Sequence, residues 1–180
     1  FRTQLRAAYR AAGAGNLIIM FPMIGSVEDY RRARSITVSV RESLIQEGLS
    51  VPNVPLGIMI EIPAAALCAE QLAREADFAS IGTNDLCQYT FAADRMNAKA
   101  AEYTHPLSPA MLKLIQMSAF AFSAAGKSLS VCGELAGETR AIPLLLGAGV
   151  RKLSMSASSL ARAKRIIRAC SLSGCQELFD

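Results

Sequence analysis

Short, nearly unbroken apolar runs alternate along this chain with longer segments of helical period, and that alternation limits the possible folds more than any other feature. The runs are NLIIMFPM (16–23), VPLGIMIEIP (54–63), DFASIGTND (77–85), SLSVCGEL (128–135) and VRKLSMS (150–156). Strands buried on both faces read this way, without polar alternation, so five strands are expected. After the first run, Ser26 stands three residues before Asp29, a weak form of the capping box. Val27, Tyr30, Ala33, Ile36, Val40 and Leu44 then recur at helical spacing until Gly48. AAALCAEQLAREA, after Pro63, reads as the next helix. A loop through YTHPLSP leads into a helix carrying Met111, Leu114, Ile115 and Phe122, which ends near Gly126. GETRAIPLLLGAG reads as a shorter helix interrupted early by Pro143, and SSLARAKRIIRAC as the last one.

Such repetition makes a parallel sheet, either doubly wound and open or closed into a barrel. Two observations favour the barrel. No G-x-G-x-x-G or P-loop follows the first strand, which weakens nucleotide and dinucleotide readings. Polar residues also recur at the C-terminal ends of successive strands: Glu61, then Asn84 and Asp85, then Cys132 and Glu134. In a β/α barrel those ends converge on one mouth, where the loops build the active site. The expected fold class is therefore α/β, a (β/α)8 TIM barrel. No linker or low-complexity tract divides residues 1–180, which read as a single domain, and 52% hydrophobic residues supply an ample core.

Composition narrows the function classes. No apolar run approaches the roughly 18 to 20 residues that span a bilayer, and the first ten residues lack the apolar centre of a signal peptide. A cytoplasmic protein without membrane contact is expected. A start at Phe1 rather than Met suggests that a longer polypeptide has been cut here. Five cysteines at irregular spacing and one histidine, His105, argue against a disulfide framework or a zinc site. The net charge of +4 and pI near 8.9 raise the question of nucleic acid. No basic stripe is interleaved with aromatics, however, and Arg162, Lys164, Arg165 and Arg168 read as the solvated face of the last helix, so no nucleic-acid partner is expected.

The strand-end residues offer a coherent chemistry. Glu61 and Asp85 could share one hard divalent cation, most plausibly Mg²⁺, which accepts one or two carboxylates and fills its shell with water and substrate. Taken alone, each is equally an N-cap or a local salt-bridge partner. Arg95 presents a planar fork suited to phosphate or carboxylate, against the alternative of an ion pair with Asp94 or Glu102. Cys132, between Val131 and Gly133, is either a buried inert thiol or a proton donor, since a thiol of ordinary pKa about 8.5 is mostly protonated at neutral pH. Cys68, Cys87, Cys170 and Cys175 read as packing or incidental thiols, and His105 as solvated.

FPMIGSVEDYRRAR, GIMIEIPAAAL, DFASIGTNDLCQYTFAADRMN, HPLSPAMLKLI, CGELAGE, IPLLLGAGV and LSMSASSL cover practically the whole chain. Together they resemble the C-terminal phosphoenolpyruvate-binding barrel of enzyme I, the phosphoenolpyruvate-protein phosphotransferase family of the bacterial sugar phosphotransferase system. The resemblance implies that Glu61 and Asp85 hold Mg²⁺ and that Asn84, Asp85 and Arg95 bind phosphoenolpyruvate. It implies that Cys132 protonates the enolate carbon as pyruvate forms. The phosphoryl acceptor is then a histidine on a separate N-terminal domain, which passes the group to the phosphocarrier protein HPr; His105 lacks that motif. Cys87 stands where relatives usually have threonine. The resemblance also implies that the five strands are the later part of an eight-stranded barrel of about 250 residues, a truncated form. Open edges then favour a homo-oligomer. Two alternatives stay open: a non-catalytic dimerisation or interaction module, and a relative of pyruvate phosphate dikinase or phosphoenolpyruvate synthase.

Overall fold

A computed structural model describes residues 1–179. The elements are α1 (Arg2–Ala12), β1 (Ile19–Phe21), α2 (Val27–Gln46), β2 (Leu56–Ile60), α3 (Pro63–Leu67), α4 (Ala69–Glu75), β3 (Phe78–Gly82), α5 (Thr83–Phe91), α6 (Pro109–Ala124), β4 (Ser128–Cys132), α7 (Ala141–Gly147), α8 (Ala157–Ala169) and α9 (Leu172–Phe179). The expected parallel sheet is present. Every pairing is parallel, and the spatial order β1-β2-β3-β4 follows chain order, without the reversal that marks a doubly wound sheet.

The fifth expected strand does not form. Residues 150–156 contribute a single parallel bridge, Val131 to Leu153, held by Val131 N–H to the Lys152 carbonyl at 2.9 Å and Ser154 N–H to the Val131 carbonyl at 2.8 Å. The four other runs are trimmed for local reasons. Pro22 cannot donate to a ladder, so β1 stops at Phe21. Gly133, at φ +101°, turns the chain away after β4. The segment expected to be strand through Asp85 instead begins α5 at Thr83, so Asn84 and Asp85 lie in a helix's first turn.

Helix signals fare better. Ser26 caps α2, its Oγ accepting from the Asp29 N–H at 3.1 Å while donating to Asp29 Oδ2 at 2.9 Å. Pro143 does not interrupt α7, because it falls in the first turn, where a missing N–H breaks no helical bond. AAALCAEQLAREA forms two helices rather than one, since Cys68 leaves helical geometry at φ −100°, ψ 19°. SSLARAKRIIRAC is not the last helix: α9 follows it. The basic residues of α8 are exposed and Ala163 is its buried residue, as a solvated face requires.

Ile58, Ile60, Ile81 and Val131 of the sheet are fully buried in one core with Tyr30 and Leu44 of α2, Leu72 of α4 and Met111, Ile115 and Phe122 of α6. Burying a large apolar side chain contributes about 1.5–3 kcal/mol, so this layer fixes the sheet. The C-terminal strand ends, and the polar residues they carry, are thereby held in register.

Candidate active site

The site begins with the pairing of β3 and β4. Gly82 lies opposite Cys132, so the turn into Thr83, Asn84 and Asp85 and the turn into Gly133 and Glu134 leave the sheet side by side. Three hydrogen bonds join them. Thr83 Oγ1 donates to the Cys132 carbonyl at 2.9 Å, the Glu134 N–H donates to Asn84 Oδ1 at 3.3 Å, and the Cys132 thiol donates to the Ile81 carbonyl at 3.4 Å. A Cβ on Gly133 would come within 2.6 Å of Thr83 Oγ1, so the close approach of the two turns needs glycine there.

Glu61 follows the end of β2 and is only 3% exposed. Its Oε1 accepts the Met23 N–H at 2.7 Å, while a Cβ on Gly82 would lie 2.8 Å from Oε2. The carboxylate thus sits between the end of β1 and the end of β3. Burial pushes its pKa above the ordinary carboxylate range; the Met23 N–H acts the other way, and the nearby charge of Asp85 raises it again. Arg95 approaches Asp85 rather than Asp94 or Glu102, with Nη2 3.6 Å from Oδ1 in a half-exposed pair.

Two cavities flank these turns. Asn84, Cys132, Gly133, Glu134 and Ser154 line one of about 460 Å³, and Asn84, Gln88, Arg95, His105 and Glu134 belong to one of about 880 Å³. Asn84 is common to both, whereas Cys132 lines the smaller and Arg95 the larger. His105 is exposed, with its ring edge-on to Phe91 at 5.5 Å between centroids. Cys87 is buried, and burial pushes its thiol pKa up against the lowering effect of the His105 N–H.

Of the five residues singled out from the sequence, Glu61, Asn84, Asp85 and Cys132 lie at adjacent strand ends and the first turns beyond them, whereas Arg95 comes from the loop after α5 and reaches them through Asp85. Sequence reasoning missed Thr83, which ties the two turns, and Met23, which holds Glu61. A threonine inside GTND is a visible signal, but nothing in an apolar run announces that Met23 turns its N–H inward. Among the described residues no group of three or more His, Cys, Asp or Glu side chains is arranged around a common point, and no helix is long and apolar enough to cross a membrane.

Residues 1–172 match the family model described as PEP-utilising enzyme, PEP-binding domain. The phosphoenolpyruvate-protein phosphotransferase of Listeria monocytogenes is 51% identical over 93% of this chain and 30% of its own length. That of Enterococcus faecalis is 46% identical over 100% of this chain and 32% of its own, and that of Bacillus subtilis 48% over 91% and 29%. The chain thus spans less than a third of these curated relatives. Among solved structures, a citrate lyase from Burkholderia xenovorans superposes with a TM-score of 0.66 at 20% identity, covering 94% of this chain and 53% of that one. Haloferax volcanii malate synthase gives 0.60 at 16% identity, over 82% and 44%. At such identities the likeness is one of fold.

Proposed function

The chain belongs to the PEP-binding domain family of PEP-utilising enzymes, and from that membership we propose that it is the C-terminal phosphoenolpyruvate-binding part of a phosphoenolpyruvate-protein phosphotransferase. Residues 1–180 then form one domain of the cytoplasmic enzyme, the later part of a (β/α)8 barrel of the phosphoenolpyruvate/pyruvate type. The observation that carries this reading is that Glu61, Asn84, Asp85 and Cys132 stand at neighbouring strand ends, with Arg95 brought to Asp85 from the loop after α5. Chain-ordered parallel pairing supports the barrel, because a barrel's arc has that order.

The donor set fits Mg²⁺. Two carboxylates suit an ion that keeps several waters, and Glu61, whose pKa is raised first by burial and then by the charge of Asp85, is a carboxylate that a cation would relieve. Glu61 and Asp85 would hold the ion, which when bound offsets charge on the phosphoryl and enolate oxygens.

The chain's own groups account for the rest. Asn84 and Asp85, fixed in the first turn of α5, orient the substrate, and the Arg95 fork neutralises phosphate or carboxylate oxygens. The phosphorus–oxygen bond of phosphoenolpyruvate breaks as a phosphorus–nitrogen bond forms to a histidine on a separate N-terminal domain, which afterwards serves HPr. The remaining enolate takes a proton at its methylene carbon from the Cys132 thiol, giving pyruvate.

Calorimetric titration with phosphoenolpyruvate, with and without Mg²⁺, tests the proposal. Binding that requires Mg²⁺ is expected. The absence of binding under both conditions would favour the second reading, an interaction module that carries the residues without using them; the outer edge of β1, which has no strand neighbour among the described residues, is the feature that supports it.

A further inference from the structure

Among the described non-glycine residues, Met23 and Ala92 have positive φ, at 57° and 50°. Ala92 has an ordinary reason: it closes α5 in the left-handed geometry common at helix ends, its N–H reaching the Gln88 and Tyr89 carbonyls. Met23 caps no helix, and the residue is 48% exposed, so burial does not hold it in that conformation. Left-handed backbone is disfavoured for residues with a Cβ, and where it persists the surroundings must specify it.

The Met23 N–H meets Glu61 Oε1 at 2.7 Å, the short distance of a charge-assisted bond, and the positive φ turns the chain onward to buried Ile24 without pulling that N–H away. Pro22, just before, has no N–H to offer, so Met23 is the first residue after β1 able to donate. On the other side Gly82 leaves room for Oε2, which a Cβ would crowd at 2.8 Å. One carboxylate oxygen is thus anchored while the other remains for a ligand.

We propose that Met23 is a positioning residue: its left-handed backbone lets the chain leave β1 with the Met23 N–H kept on Oε1, and so presents Glu61 to the metal in one orientation. The inference rests on the reading of Glu61 and Asp85 as metal ligands. A long side chain fixed before the ion arrives loses no rotamer freedom on binding, and loss of such outer partners typically weakens metal affinity about 10–100-fold.

The test measures Mn²⁺, as a paramagnetic substitute for Mg²⁺, by electron paramagnetic resonance of the free ion, in the native protein, Met23→Gly and Met23→Val. Glycine keeps the N–H and enters positive φ freely, so Met23→Gly should bind as the native protein does. β-Branched valine resists that conformation, and Met23→Val should bind about tenfold or more weakly with an unchanged circular dichroism spectrum. Equal affinity in Met23→Val, or equal losses in the valine and glycine variants, would overturn the proposal alone. If the native protein binds no Mn²⁺, the metal reading falls and the proposal falls with it. Should Met23→Val fail to fold, the metal-free native protein decides. Its Met23 amide proton must resonate downfield, resist exchange, and move upfield in Glu61→Gln; an amide indifferent to that substitution refutes the anchoring.

Discussion

Cys132 shows how a single residue can be read two ways and then narrowed by its neighbours. Its flanks, Val131 and Gly133, are those of a packing thiol, but the side chain is half-buried, donates to the Ile81 carbonyl and lines the cavity it shares with Asn84. A thiol held in this way is oriented, which a general acid needs. With the histidine-bearing N-terminal domain supplied as phosphoryl acceptor, Cys132→Ala should therefore lower phosphoenolpyruvate-dependent pyruvate formation about 10²–10⁴-fold. Substrate affinity should change little, because in the proposed role the thiol acts on the enolate rather than on the bound phosphate. Single-turnover pyruvate formation beside calorimetric affinity separates the two quantities, and a variant as fast as the native protein would remove Cys132 from the chemistry. The place of such residues at the strand ends was legible in the sequence because apolar runs locate those ends. Their partners were not, since Arg95 had Asp94 next to it in the chain and pairs instead with Asp85, ten positions away.

At the scale of elements, apolar runs marked strands and spacing marked the long helices, while contacts made only in three dimensions decided the rest. SLSGCQELF carries serine and glycine where a helix prefers neither, yet α9 forms there and packs closely on α7. The approach is possible because Gly147 has no side chain: a Cβ would lie 2.2 Å from the Cys175 carbonyl oxygen and 3.0 Å from its carbon. These are backbone atoms and cannot swing aside. Gly147→Ala is thus a case in which two effects have opposite sign. Helix propensity favours alanine by about 1 kcal/mol, whereas forcing α9 away should cost about 1–3 kcal/mol of packing. Overpacking should win, with the denaturation midpoint falling and hydrogen exchange rising selectively over residues 172–179. A more stable variant would show that α9 adapts freely. The lost fifth strand follows the same logic, because the LSMS segment has strand composition but makes only the bridge at Leu153.

For the whole molecule the decisive feature is a four-stranded parallel sheet with two unlike edges. β4 is partly covered by the bridge to Leu153, whereas β1 has a strand neighbour only in β2 among the described residues. Such an edge presents unpaired N–H and carbonyl groups together with apolar side chains, a template for pairing with another chain. Here the flanks of β1 expose Ile18 at 58%, Met23 at 48% and Phe1 at 55%. A second apolar feature, Leu67 and Phe120 on the contacting helices α3 and α6, is more exposed but carries no strand edge with unpaired backbone groups. Of the two surfaces, the edge combines apolar area with directional hydrogen bonding, so it should dominate self-association. Sedimentation velocity over micromolar concentrations is expected to show oligomers. Ile18→Lys, which places a charge beside the edge, should shift the distribution towards monomer, while Phe120→Lys should shift it less. The reverse ranking would move the contact to the helical face. A native chain that sediments as a monomer throughout would mean that the β1 edge is tolerated in water, and would remove self-association as a means of completing the sheet.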